Sequence, residues 1–251
     1  MPGPRTSPDE AAWTSEELLA PHRVTDKAAR VRRMFNAIAC RYELTNTLFS
    51  MGRDAYWRRE AVRLAGVQRG DFVLDVACGT GDFARAFLRA GARRVVGCDF
   101  AHEMLALASG RTDPAATWCE ADALDLPFQD GSFSIASCAF GVRNFQDLDA
   151  GLVEMHRVLR RGGRAVILEF TRPGNALARW VFEAYSTRLM PVAASLISGD
   201  RSGAYRYLPR SVVSFLDAEQ LCARLVAAGF RSPTARALTV GVVTAYIAAR
   251  D

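Results

Sequence analysis

The sequence predicts an α/β fold: a seven-stranded, mostly parallel sheet with an antiparallel edge strand, N-terminal helices and a helical cap inserted late in the chain. Three observations carry this. Short β-rich runs alternate with helical stretches between residues 72 and 170, the pattern of parallel strands joined by crossover helices. A glycine-rich turn, Gly79-Thr80-Gly81, closes the first run. The chain ends on a helical stretch and two β-rich runs, 232–238 and 240–248, close enough to pair as a hairpin through Thr239–Gly241.

Residues 1–25 are rich in Pro, Ser, Thr, Ala and Glu, with neither a basic n-region nor an apolar h-region. They read as a flexible tail and not as a secretory signal. Residues 26–251 read as one domain. In it, 26–68 carry N-terminal helices, with Val31, Met34, Phe35, Ile38 and Tyr42 at helical spacing. Arg69-Gly70-Asp71 breaks that pattern. Strands are predicted over 72–77, 94–100, 117–121, 133–140 and 164–170, and helices over 81–90, 102–109 and 147–159. Arg161-Gly162-Gly163 stops the last of these helices before the fifth strand. Residues 171–216 form the capping insertion, since inserts of that length in α/β folds usually cover a site. Its apolar run at 189–198 is too short to span a bilayer. A helix over 217–229 ends at Gly229.

The net charge of the 251 residues is +5, spread over arginines with Lys27 the lone lysine and no basic run. That pattern does not support nucleic-acid binding. It suits a cytoplasmic protein, peripheral at an anionic membrane face or taking an acidic small molecule. The cysteines Cys40, Cys78, Cys98, Cys119, Cys138 and Cys222 form no C-x-x-C pair, so they read as small apolar fillers and no metal site is expected.

The turn after the first run satisfies G-x-G-x-x-A through Ala84, the fingerprint of a dinucleotide-binding turn. Asp75 and Asp82 flank its glycines. A pyrophosphate favours the bare positive end of a helix, and both carboxylates repel it. S-adenosylmethionine has no phosphate; its sulfonium and α-ammonium are cations that carboxylates attract. Charge therefore favours the sulfonium ligand. Asp99, eighteen positions after Gly81, has the place of a ribose-diol acceptor, which nicotinamide dinucleotides share. Asp122 and Ala123, after the third run, are placed for the adenine amino group, and Met104 and Leu124 for its ring faces.

Several stretches resemble the ubiquinone/menaquinone biosynthesis C-methyltransferases, a family of class I, Rossmann-like methyltransferases. They are Asp75-Val-Ala-Cys-Gly-Thr-Gly-Asp82, Ala123-Leu-Asp-Leu-Pro-Phe128, Phe140-Gly-Val-Arg-Asn144 and Glu154-Met-His-Arg-Val-Leu159. Further matches are Arg41-Tyr-Glu-Leu-Thr-Asn46, Ser50-Met-Gly52 with Trp57, Leu168-Glu-Phe170, Tyr205-Arg-Tyr-Leu208 with Ser211, and Thr239-Val-Gly-Val-Val243. Departures are Glu43, Asp54, Ala139, Arg160-Arg161 and Leu216; Asp54 and Ala139 lie near the presumed pocket and bear on the acceptor.

The resemblance implies methyl transfer from S-adenosylmethionine to a ring carbon of a prenylated quinol at the membrane surface. The quinol is demethylmenaquinol, the corresponding ubiquinone-pathway benzoquinol, or both. It also implies donor contacts from Tyr42, Asp75, Ala77, Gly79, Thr80, Gly81, Asp99, Met104, Asp122, Ala123 and Ala139. Arg143 is expected to hold the phenolate and Asn144 to orient the ring, with Asp200 or Tyr205 relaying the phenolic proton. Leu189, Met190, Leu196 and Ile197 suit a prenyl tail. His156, mid-helix between Glu154 and Arg157, reads as a solvated helix face. Family members often associate as dimers. Three rivals stay open: a tailoring methyltransferase for another phenol, lipid or secondary metabolite; a nicotinamide-dependent oxidoreductase; and a methyltransferase-like binding protein without turnover.

Overall fold

A computed structural model describes residues 13–14, 16–42, 46–47, 50, 52–111, 113–176, 180, 184 and 204–251. Seven strands form one sheet: β1 (Phe72–Val76), β2 (Arg94–Asp99), β3 (Ala116–Glu120), β4 (Phe133–Ala139), β5 (Leu159–Phe170), β6 (Arg231–Leu238) and β7 (Val243–Ala249). Their order is β3-β2-β1-β4-β5-β7-β6. The first five run parallel, and β7 enters antiparallel to both β5 and β6. The reversed strand thus sits one place in from the edge, because the tight turn at Thr239–Gly241 pairs β7 with β6 while β5 takes its other side.

The helices are α1 (Lys27–Ile38), α2 (Asp54–Ala65), α3 (Asp82–Arg89), α4 (His102–Ser109), α5 (Leu148–Val158), α6 (Ala204–Val213) and α7 (Ala218–Ala227). Local chemistry starts two of them. The Asp147 side chain accepts from Ala150 N at the head of α5, and Asp217 with Gln220 forms a capping box on α7. Side chains alternate across the pleat. Val73, Ile135 and Val166 pack on one face with Trp57, Phe83 and Phe87. Leu74, Ala136 and Ile167 pack on the other with Leu152, Met155 and Leu225.

A third cluster stands above the carboxyl ends of the strands. It joins Val31 and Met34 of α1, Met104 of α4, Tyr207 and Leu208 of α6, and Trp13. Trp13 is buried and stacks on Tyr207 at 4.4 Å, and short 3-10 turns run over Glu17–Leu19 and Pro21–Arg23. The flexible tail expected over 1–25 therefore gives way, in its described part, to packed chain. An indole among polar residues gave no period to read, and its partner lies almost two hundred positions away. His156 also differs from expectation: it is half-buried, its ring edge-on to Phe230 at 5.0 Å. Most of the capping insertion, with Asp200, Leu189, Met190, Leu196 and Ile197, lies outside the described residues.

Candidate active site

Strand order reverses between β1 and β4, and in open α/β sheets ligands bind beyond the carboxyl ends at such a point. A cleft of about 640 Å³, mouth included, opens there. Its walls include Tyr42, Ala77, Gly79, Asp99, Met104, Asp122, Ala123, Leu124, Ala139, Phe140, Asn144 and Phe145. A smaller recess of about 300 Å³ adjoins it, lined by Tyr42, Arg58, Asp75, Ala77, Cys78, Gly79, Thr80, Asp82, Phe83 and Ala139. The two share Tyr42, Ala77, Gly79 and Ala139, so they form one continuous site.

Backbone geometry shapes the site. Ala77 and Phe140, at the ends of β1 and β4, both take left-handed conformations, with φ of 53° and 59°. Such positions cost about 1–3 kcal/mol each and persist where surrounding structure holds them. Gly79, at φ 55°, leaves open space where a Cβ would stand, with only Tyr42 within 4 Å. Gly81 differs. A Cβ there would fall inside the indole of Trp118, which also covers Gly97. Its missing side chain thus serves packing, whereas the sequence reading gave both glycines to the ligand.

Asp75 is fully buried. Ser137 Oγ donates to its Oδ1 at 2.8 Å, while Oδ2 has no partner. Burial pushes this carboxyl up to about 7. Asp99 takes Gly79 N on Oδ2 at 2.8 Å and Ala101 N on Oδ1 at 2.9 Å. Burial raises it to about 6, and each oxygen retains acceptor capacity. Asp122 is exposed at the cleft rim and accepts from Leu124 N at 3.0 Å. Burial raises the Tyr42 phenol above its ordinary value, keeping it neutral.

Arg143 and Asn144 behave differently from each other. Asn144 faces the cleft, and Tyr207 OH donates to its Oδ1 at 3.0 Å. Arg143 sits behind it, 5% exposed. Its Nη1 donates to Glu169 Oε1 and to Phe140 O, both at 2.6 Å, and its Nε donates to Ser211 Oγ at 3.3 Å. The guanidinium is engaged inside the protein by an ion pair whose carboxylate is wholly buried. Tyr205 is carried by α6. Sequence reasoning gave Arg58, Glu169, Tyr207 and Ser211 no role, although the last three stand in the quoted motifs. Asp54, read as bearing on the acceptor, forms an ion pair with Arg58, which lines the recess.

The residues present fit S-adenosylmethionine. An unpartnered buried carboxylate oxygen awaits a cation, an open glycine turn admits close approach, and an apolar slot beside Asp99 and Asp122 suits a nucleoside. Among solved structures, an S-adenosylmethionine-dependent methyltransferase from Thermotoga maritima superposes with a TM-score of 0.64 at 16% identity, covering 87% of this chain and 99% of that one. Phosphoethanolamine N-methyltransferase 2 of Haemonchus contortus, in complex with S-adenosylmethionine, gives 0.58 at 16%, covering 77% and 52%. These establish the fold. Closer in sequence, a demethylmenaquinone methyltransferase of Deinococcus radiodurans is 45% identical over 226 residues, 88% of this chain and 93% of that protein. One from Thermus thermophilus is 46% identical over 221 residues, 86% and 100%. A ubiquinone/menaquinone biosynthesis C-methyltransferase of Geobacter sulfurreducens is 42% identical over 236 residues, 90% of each. The model of the ubiE/COQ5 methyltransferase family matches residues 23–250. With S-adenosylmethionine as its cofactor, this chain belongs to the ubiE/COQ5 methyltransferase family.

Proposed function

We propose that the protein methylates a ring carbon of a prenylated quinol, with demethylmenaquinol as its acceptor. The observation that carries this reading is the composition of the acceptor side of the cleft. Phe140 and Phe145 wall it, and Asn144 and Gln146 bring side-chain amides to it. An apolar slot whose fixed polar groups there are neutral amides, Asn144 and Gln146, suits a flat hydroxylated ring better than a charged or strongly polar acceptor.

S-adenosylmethionine supplies an electrophilic methyl; the residues supply orientation, dryness and charge. Asp75 Oδ2 takes the donor ammonium, and Asp99 accepts from the ribose hydroxyls. Asp122 takes the adenine amino group, with Met104 and Leu124 against the ring. Asn144, pinned by Tyr207, orients a quinol hydroxyl so that its ortho carbon faces the methyl. Carbon becomes nucleophilic as that hydroxyl loses its proton, and the Arg143 guanidinium behind the turn favours the phenolate electrostatically. The Glu169 pair tempers that charge and fixes its place. The proton acceptor belongs to the cap, where Asp200 and Tyr205 are the candidates.

Among the described residues no helix is long and apolar enough to cross a membrane. A prenylated ring comes from the lipid phase, so the reading places the protein at the membrane surface; Trp180, 65% exposed on the cap, suits such contact. The test is release of S-adenosylhomocysteine with two chemically reduced acceptors, a demethylmenaquinol and a benzoquinol lacking its ring methyl. Turnover on the naphthalenoid quinol is expected. Turnover on neither, with donor binding intact, defeats the reading.

A further inference from the structure

The small recess holds a second buried polar atom without a partner. Arg58, on α2, is 6% exposed, and its Nε donates to nothing. Its Nη1 is fixed 2.5 Å from Asp54 Oδ2, one turn back on the same helix. Asp54 is itself held by Ser50 Oγ at 3.2 Å and Asn46 Nδ2 at 3.4 Å. The guanidinium lies over the Phe140 ring, 5.6 Å from its centroid. Nη1 is thus committed and Nε is left over.

Asp75 lines the same recess, and its Oδ2 is also buried and unpartnered. The third charged group there, Asp82, is spent on Arg85 at 2.7 Å. Leaving a buried donor or acceptor unsatisfied costs about 1–3 kcal/mol, and more for a charged group. Two such atoms of opposite sign, carried by residues that line one small cavity, describe the complement of a zwitterion. An α-amino acid group is that zwitterion, its ammonium and carboxylate one carbon apart.

We propose that Arg58 Nε is the receptor for the α-carboxylate of the methyl donor, acting opposite Asp75 on the α-ammonium, with Asp54 as the residue that positions Arg58. This rests on S-adenosylmethionine being the donor. It gives Asp54, the departure from the family pattern beside the pocket, a task on the donor side. It also accounts for a buried arginine with a free Nε beside the recess.

The test is calorimetric titration of the full chain with three ligands: S-adenosylhomocysteine, its decarboxylated analogue, and 5′-methylthioadenosine, which lacks the amino-acid group. Wild type is expected to bind the decarboxylated analogue about 10- to 100-fold more weakly than S-adenosylhomocysteine, the scale of one charge-assisted hydrogen bond. Arg58→Met should lose the same factor for S-adenosylhomocysteine and nothing for the other two ligands, and Arg58→Lys should recover part of it. Equal weakening toward all three ligands means that Arg58 only packs, and unchanged affinity for S-adenosylhomocysteine means it has no role; either overturns the proposal. If wild type binds all three ligands alike, the carboxylate receptor falls while the donor reading stands. If wild type binds none, the donor reading falls with it. Because the wild-type comparison needs no variant, misfolding of Arg58→Met leaves the proposal exposed.

Discussion

Replacing Asp75 by asparagine should make the free protein more stable and its donor complex weaker. The carboxyl is fully buried with one oxygen unpartnered, and burial carries it from the ordinary 3.8 to about 7. Between those values the folded chain keeps a proton that the unfolded chain has released. Stability therefore falls as pH rises through this window, and the cost of ionising Asp75 has its full size above 7. At about 1.4 kcal/mol per pH unit, the three units amount to a cost of at most about 4 kcal/mol at pH 8. Asparagine preserves shape and the bond from Ser137 but cannot ionise. Urea denaturation at pH 5 and pH 8 should show the variant gaining on wild type by about 3 kcal/mol between the two, at equal m. Calorimetry with S-adenosylhomocysteine should show wild-type affinity dropping about tenfold per pH unit below 7, and a weaker, pH-independent affinity in the variant. A variant less stable than wild type at pH 8, by a margin that does not change with pH, would refute the reasoning: Asp75 would then be a structural acceptor.

Three further outcomes are expected. Glu169→Ala leaves the Arg143 guanidinium buried without its carboxylate, so the denaturant midpoint should fall by the equivalent of about 3–5 kcal/mol. Tyr207→Phe removes the hydroxyl that holds Asn144 Oδ1. It should cost about 1 kcal/mol of stability and lower kcat with quinol acceptors while the Kd for S-adenosylhomocysteine stays unchanged. Gly81→Ala places a side chain at φ 80° and into the Trp118 indole, for a loss of about 1–3 kcal/mol. Adding Trp118→Ala should relieve the clash yet not the backbone strain, so denaturation of the double variant should show only partial recovery.

The sheet was legible because each of its determinants is local: apolar runs of strand length, helical spacing between them, and turn glycines at their ends. That Asp75, Gly79, Asp99 and Asp122 line one cleft was legible for the same reason, since Asp75 and Asp99 lie at the carboxyl ends of β1 and β2, Gly79 and Asp122 follow strands, and the strand ends meet at one place. Two kinds of fact stayed hidden. A glycine says that no side chain fits but not what occupies the space; Gly79 faces the open cleft and Gly81 faces Trp118. A charged residue near a site says nothing of its partner. Arg143 reads as a clamp for phenolate until Glu169, from the next strand, is found on its Nη1. Arg58 reads as an ordinary helix cation until Asp54 is seen to hold one edge of its fork.

Three of the quoted motifs, Phe140–Asn144, Leu168–Phe170 and Tyr205–Leu208 with Ser211, meet in one buried network. Phe140 holds a left-handed backbone at the end of β4. Its carbonyl accepts from Arg143 Nη1 and from Asn144 Nδ2, while Glu169 Oε2 accepts from Arg143 N at 3.4 Å. These bonds clamp the turn in a conformation it would otherwise leave. Tyr207 and Ser211 tie the same turn to α6 of the cap, and Lys27 Nζ donates to Arg143 O from α1 at 3.4 Å. Cap, N-terminal helix and acceptor-side turn are therefore one mechanical unit, whereas Asp75 and Asp99 are fixed by β1, β2 and the glycine turn. Substitutions in the network should consequently act on acceptor turnover and leave donor affinity near wild type. Those at the recess should do the reverse.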